Sequence, residues 1–369
     1  MKLVVFGLTI SSSWGNGHAT LWRGLCRALA RQGHRVVFFE KNVPYYSANR
    51  DVFVIPNGDL ILYETWRSIS QRAKSELSDA DAAIVTSYCP DGLEATELVL
   101  DTPGIVRTFY DLDTPVTLSK LQARETLTYI GPRGLGEFDL VLSYTGGGAL
   151  EKLRTELGAR RVAPLYGHVD PEVHRPVESV ARYASDLSYL GTYAADRQAT
   201  LQRLFIDPAG LRPARRFLIG GALYPDDFPW KPNIHFARHL PPSEHPAFFS
   251  SSRLTLNVTR QAMADMGWCP SGRLFEASAC GVPILSDNWE GLDSFFVPGS
   301  EILIARTSED AIAALDLSDV DLNRIARASR ERTLAEHTSE HRARELEALL
   351  ASARSAPSPS GRPAAIMEA

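Results

Sequence analysis

At 369 residues the chain is too long for one compact core, so two α/β domains are the natural expectation. A net charge of −5 with 22% charged residues gives no broad attraction to nucleic acid or anionic lipid, and no stretch has the apolar length of a membrane span. Cys26, Cys89, Cys269 and Cys280 are scattered without a CxxC pair, which fits a reduced, cytoplasmic compartment rather than a disulfide framework. Short β-branched runs alternate with longer amphipathic segments, the pattern of parallel sheets with crossover helices. Near-continuous apolar runs predict strands at 3–8, 36–39, 82–86, 105–109 and 140–143. The first run is too short, and too soon followed by Gly and Ser, to read as a signal peptide. Between the first two, Leu21, Leu25, Ala28 and Leu29 recur at helical spacing over 19–32, and Gly33 ends that helix. A second cycle predicts strands at 187–190, 217–219, 234–237, 254–258, 283–286 and 302–305, and the Pro- and Gly-containing stretch 162–176 separates the two cycles. Residues 322–352 read as helical and charged, and the Ser-, Pro- and Ala-rich tail 353–369 as disordered. The expected organisation is a Rossmann-like domain over 1–165, a second over 166–352 and a tail over 353–369.

Three places carry chemistry. The first is the turn after the first strand, where Trp14, Gly15, Asn16 and Gly17 bend the chain at a strand's carboxyl end and a helix N-terminus follows. It is not a GxGxxG fingerprint, and Glu40 is the nearest acidic residue closing the second strand. His18, at the helix start, has the chemistry of a general base toward a hydroxyl; a capping histidine without catalytic duty is the alternative. The second place is 270–286. Ser271 and Gly272 open a short helix, Arg273 and the helix N–H groups suit a diphosphate, and Glu276 one turn on suits ribose hydroxyls. Leu274, Phe275, Ala277 and Ala279 press that helix on a sheet, and Gly281 terminates it. The third is Asp111-Leu112-Asp113. This pair reads as the Asp-x-Asp metal signature of sugar transferases, as acceptor-positioning carboxylates, or, with Thr114, as a helix cap. Arg197, after Gly191-Thr192-Tyr193, is a candidate phosphate ligand or an exposed helix arginine. His168, His174, His235 and His239 have no metal-ligand spacing and read as loop or surface histidines, so no metal site is expected.

The run Glu276-Ala277-Ser278-Ala279-Cys280-Gly281-Val282-Pro283 resembles a segment of nucleotide-sugar transferases with the GT-B fold. With residues 12–20, 110–118, 165–171, 190–193, 257–260 and 291–295, the chain more closely resembles the CgeB-like, spore-maturation-type glycosyltransferases. That resemblance implies two Rossmann-like domains facing across a cleft, with a C-terminal helix after the second. It implies an acceptor domain first, a donor domain second, and catalysis without a bound metal or other cofactor. It places Arg273 and Glu276 on the donor nucleotide, adds Arg260 and Gly291 to the donor side, and likens His18 to the base of several inverting enzymes. One departure stands out: many retaining relatives carry two glutamates separated by seven residues, and Trp268 occupies the first position here.

The expected reaction moves a sugar from a nucleoside-diphosphate sugar to an unidentified acceptor hydroxyl. His18, Asp111 and Asp113 are the candidate catalytic residues. Arg197, Arg260, Ser271, Gly272, Arg273, Glu276 and Gly291 would hold the donor, and Trp14 to Gly17 would form the acceptor loop. A nucleotide-sugar epimerase of the same architecture and a catalytically silent sugar-binding protein stay open, as do the base, the sugar, the stereochemistry and the oligomeric state.

Overall fold

The computed structural model describes residues 1–355. Seven parallel strands build the first sheet: β1 (Lys2–Gly7), β2 (Arg35–Lys41), β3 (Gly58–Tyr63), β4 (Ala82–Thr86), β5 (Val106–Asp111), β6 (Leu140–Ser143) and β7 (Val162–Pro164). Their order is β3-β2-β1-β4-β5-β6-β7. The period-2 pleat sends Leu3 and Val5 into the core on one face and Val4 and Phe6 into the core on the other, which is why β1 is apolar throughout. The second sheet has β8 (Leu187–Leu190), β9 (Phe217–Gly221), β10 (Ile234–Arg238), β11 (Thr255–Asn257), β12 (Ile284–Ser286) and β13 (Leu303–Ile304). Its order is β10-β9-β8-β11-β12-β13, again parallel. In each sheet the order reverses beside the first strand, leaving a crevice where that strand's loop and its neighbour's diverge.

Two strands escape the sequence pattern. β3 is an edge strand with half-buried side chains and lacks a two-sided apolar signature. β7 lies inside 162–176, the stretch expected to be a separator, and pairs with β6. The helical region expected over 322–352 is two helices, Asp319–Glu336 and Ser339–Ser355, broken at His337 and Thr338. The second runs through Ala353, so the tail expected from 353 begins after the helix; its remainder, 356–369, lies outside the described residues.

A boundary at 352 would also assign the helix Ser339–Ser355 to the second unit, yet Ala343, Leu346, Leu350 and Ala353 join the core of the first. They pack beside Leu21, Leu25 and Leu29 of the helix His18–Arg31, and burial of each leucine contributes about 1.5–3 kcal/mol. The return crossing runs alongside the outgoing one. Val169 N–H donates to His337 O (3.0 Å), Ser339 N–H donates to Val169 O (2.8 Å), and His168 Nδ1 meets Ser339 Oγ at 3.0 Å.

Gly24 lets the first helix approach this crossing, since a Cβ there would lie 2.5 Å from Ser339 Oγ and 3.4 Å from Asp170 Cβ. Gly24→Val therefore overpacks the junction and should lower unfolding free energy by about 1–3 kcal/mol in a urea titration. A neutral effect would show that the junction repacks freely.

Candidate functional site

The carboxyl ends of the two sheets face one cleft of about 450 Å³. On the first wall the loop after β1 is anchored by Glu40 at the end of β2, which is fully buried. Its carboxylate accepts from Ile10 N–H (2.8 Å), Ser11 N–H (3.0 Å) and Ser11 Oγ. Glu40 is thus committed to shaping the loop, not to a ligand. Asn16 also turns inward: Nδ2 donates to Thr9 O (3.2 Å) and Oδ1 accepts His18 N–H (3.1 Å). It braces the helix start, and Gly15, Asn16, Gly17 and His18 all line the cleft. Trp14 packs against His239 of the other wall, ring centroids 3.8 Å apart and planes tilted by 49°, and bridges the mouth.

His18 and Asp113 come together. His18 Nε2 lies 3.9 Å from Asp113 Oδ1, and both side chains are partly exposed to the cleft. Asp113 holds the N-cap position of the helix Thr114–Gln122 without a side-chain capping bond, so its carboxylate faces His18, and its charge beside the Tyr88 phenol adds to the burial that pushes that group up. This separation is longer than a hydrogen bond and short enough to close with a small rotation when a ligand binds. Asp111 does not join them. It is fully buried, accepts from Thr117 Oγ1 (3.0 Å) and Asp113 N–H (3.3 Å), and braces the loop from below. Burial raises its carboxyl to about 6. The Asp-x-Asp pair therefore splits, one carboxylate in the cleft and one beneath it.

The second wall is cationic. Ser271 caps the helix Gly272–Ala279 through its side chain, and that helix carries Arg273 and Glu276 into the cleft. Arg273 Nη1 donates to Asn257 Oδ1 (3.1 Å) and the guanidinium lies 5.3 Å from the Tyr189 ring centroid. Gly191 makes room for it, because a Cβ there would lie 3.1 Å from Arg273 Nη2. Burial, with Arg197 close by, lowers the pKa of Arg273. Among the described residues Arg197 donates only to Thr192 O (3.2 Å), and its Nε is buried without a partner. Among the described residues neither arginine pairs with a carboxylate. Arg260 does, with Asp196 at 3.0 Å on the cleft's rim. Gly291 does not reach the cleft: it packs under Trp268, whose indole would collide with a Cβ at 2.4 Å, and Gly147 of the first domain covers the same indole.

Glu276 accepts from Thr20 Oγ1 across the cleft (3.3 Å). Two histidines that sequence spacing did not connect flank it: His174 Nε2 at 4.0 Å and His245 Nδ1 at 3.9 Å. His174 and His168, expected as loop or surface residues, are both buried. Each of the three clustered groups comes from a different element, so no local spacing could have announced them.

Residues 197–348 match the family model described as "Glycosyl transferase-like". Sucrose-phosphate synthase from Thermosynechococcus elongatus superposes with a TM-score of 0.70 at 15% identity, covering 95% of this chain and 99% of that one. An alpha-glucosyltransferase in complex with UDP gives 0.69 at 14% identity, over 95% and 100%. Anabaena Alr3699/HepE in complex with UDP and glucose gives 0.64 at 12%, over 95% and 100%. No curated protein matches the chain. The protein has the GT-B fold, two parallel-sheet Rossmann-like domains facing across a cleft. No helix among the described residues is long and apolar enough to cross a membrane.

Buried histidines give the fold a pH dependence. Burial holds His174 and His245 down to about 4, and burial beside Arg342 holds His168 and His337 down to about 3. The unfolded chain protonates these imidazoles near 6.5, so between these values it binds more protons than the folded protein. Stability is then lost as pH falls from 6.5 toward 4. The Asp111, Asp287 and Glu345 carboxyls, which burial raises, act in the opposite sense, three groups against these four. Urea unfolding should give a smaller free energy at pH 4.5 than at pH 7; a level profile would contradict the neutral state of these rings.

Proposed function

We propose that the protein transfers a glycosyl group from a nucleoside-diphosphate sugar to an acceptor hydroxyl. The observation that carries this reading is a pair of guanidiniums without carboxylate partners, Arg197 and Arg273, facing a His18–Asp113 pair across one cleft. Two arginines beside a helix N-terminus suit a diphosphate, and Glu276 suits the ribose hydroxyls as an acceptor. The UDP and glucose in the similar structures make a uridine diphosphate sugar the first donor to try.

In the reaction, the acceptor oxygen forms a bond to the anomeric carbon as the His18 ring nitrogen that Asp113 does not face takes its proton. Asp113 orients the imidazole and stabilises the imidazolium that forms. The bond from the anomeric carbon to the diphosphate breaks, and its electron pair leaves with the diphosphate. Fixed positive charge from Arg197 and Arg273 meets the charge that develops there, in the role a divalent cation plays elsewhere. This sequence inverts the anomeric centre, which accords with Trp268 standing where retaining relatives carry a glutamate. The CgeB-like subfamily and a cytoplasmic location are part of the same reading.

Binding and chemistry are separable by experiment. A nucleoside diphosphate at a hundred times its Kd stabilises the fold by roughly 2.7 kcal/mol, visible in a melt with or without chelator. Arg273→Gln should weaken that ligand by roughly 10–100-fold, the worth of hydrogen bonds to a charged group; no shift with any nucleotide would remove the donor site.

His18→Ala should lower kcat by about 10²–10⁴-fold with donor affinity nearly unchanged. Near-normal turnover in that variant would remove His18 as the base.

A further inference from the structure

We propose that His174, His245 and Glu276 form a binding site for a single zinc-class divalent ion at the floor of the cleft. One ligand atom from each residue lies within 4.8 Å of the other two, so a single ion can reach all three. The imidazoles supply the second observation. Among the described residues, both ring nitrogens of His174 and Nδ1 of His245 are buried without a hydrogen-bond partner. A buried imidazole normally spends both nitrogens, and here three of four face their surroundings unpaired. The remaining one, His245 Nε2, lies 3.4 Å from Leu240 O, the outer contact that fixes ring orientation when the other nitrogen ligates a metal.

The nitrogen-to-carboxylate separations of 3.9 and 4.0 Å exceed those across a tetrahedral zinc ion by about half an ångström, a side-chain adjustment. Two imidazoles and one carboxylate favour zinc, cobalt, nickel or copper over magnesium or calcium, which prefer oxygen. Glu276 and His245 line the cleft while His174 stands behind them, so the fourth coordination position opens toward the cleft.

The binding claim stands on this geometry alone. Its consequence rests on the proposed function: the Glu276 carboxylate assigned to the donor ribose would be occupied by the ion. The metal is then an inhibitor competitive with the donor, not a participant in transfer.

The test is a cobalt titration of chelator-treated, nucleotide-free protein. One equivalent should produce the visible absorption of low-coordinate cobalt, and zinc should displace it. His174→Gln and His245→Gln, which keep a polar side chain in place, should each weaken cobalt binding at least ~tenfold with the far-UV spectrum unchanged. Should a variant fail to fold, X-ray absorption of the zinc-loaded wild-type protein decides, expecting two imidazoles and a carboxylate around the ion. No cobalt band, unchanged affinity in folded variants, or a ligand shell without imidazole would overturn the site. UDP binding measured in chelator reports on the donor reading separately. A protein that binds cobalt but no nucleotide keeps this site and loses the donor reading, and the reverse pattern does the opposite.

Discussion

A desolvated positive charge without a carboxylate partner governs the second wall. Arg273 is brought inward by a helix whose apolar residues are committed to the core, with Arg197 close by. Asn257 Oδ1 and the Tyr189 ring satisfy part of the guanidinium and leave its charge uncompensated. Buried charge without a counter-ion is unfavourable, so the wall is complementary to an anion before any ligand arrives. Gly191 leaves room beside the guanidinium: a Cβ there would lie 2.8 Å from the Tyr189 hydroxyl and 3.1 Å from Arg273 Nη2.

An anion site is useful only if the opposite wall stands at a fixed distance, and two ties at the domain junction hold it, besides the Trp14–His239 and Thr20–Glu276 contacts across the cleft. One is the paired crossing at Val169 and His337 to Ser339, braced by the C-terminal helix on the first core. The other is the segment 268–270. Gly146 N–H donates to Trp268 O (2.9 Å), and the Tyr144 hydroxyl donates to Pro270 O (2.8 Å). Trp268, with φ of 49°, fills the space between Gly147 and Gly291. A position that carries a sugar-facing glutamate in retaining relatives is here an interdomain wedge. The acidic residues lining the cleft are Asp113 on one wall and Glu276 on the other.

Glu276 is the point where the functions meet. It touches Thr20 of the first domain, lies one turn from Arg273, and has an imidazole on each side. A carboxylate so placed accepts hydroxyl donors or ligates a metal, and it cannot do both at once. Its neighbours set which ligand wins, since two neutral imidazoles strengthen the metal option while adjacent guanidiniums strengthen the nucleotide option.

What the sequence determined by itself was local. Apolar runs marked most strands, helical spacing marked 19–32, and Ser271 with Gly281 bracketed the helix bearing Arg273 and Glu276, because periodicity and capping act within a few residues. β3 and β7 stayed illegible because strand pairing at a sheet edge is a non-local contact with half-exposed side chains. The tertiary structure alone decided that Asp113 meets His18 while Asp111 does not, that Glu40 anchors a loop, and that Gly291 supports Trp268. It alone joined His174, His245 and Glu276. Each of these outcomes depends on where two sheets and two chain crossings place groups distant in sequence, and no spacing along the chain encodes that distance.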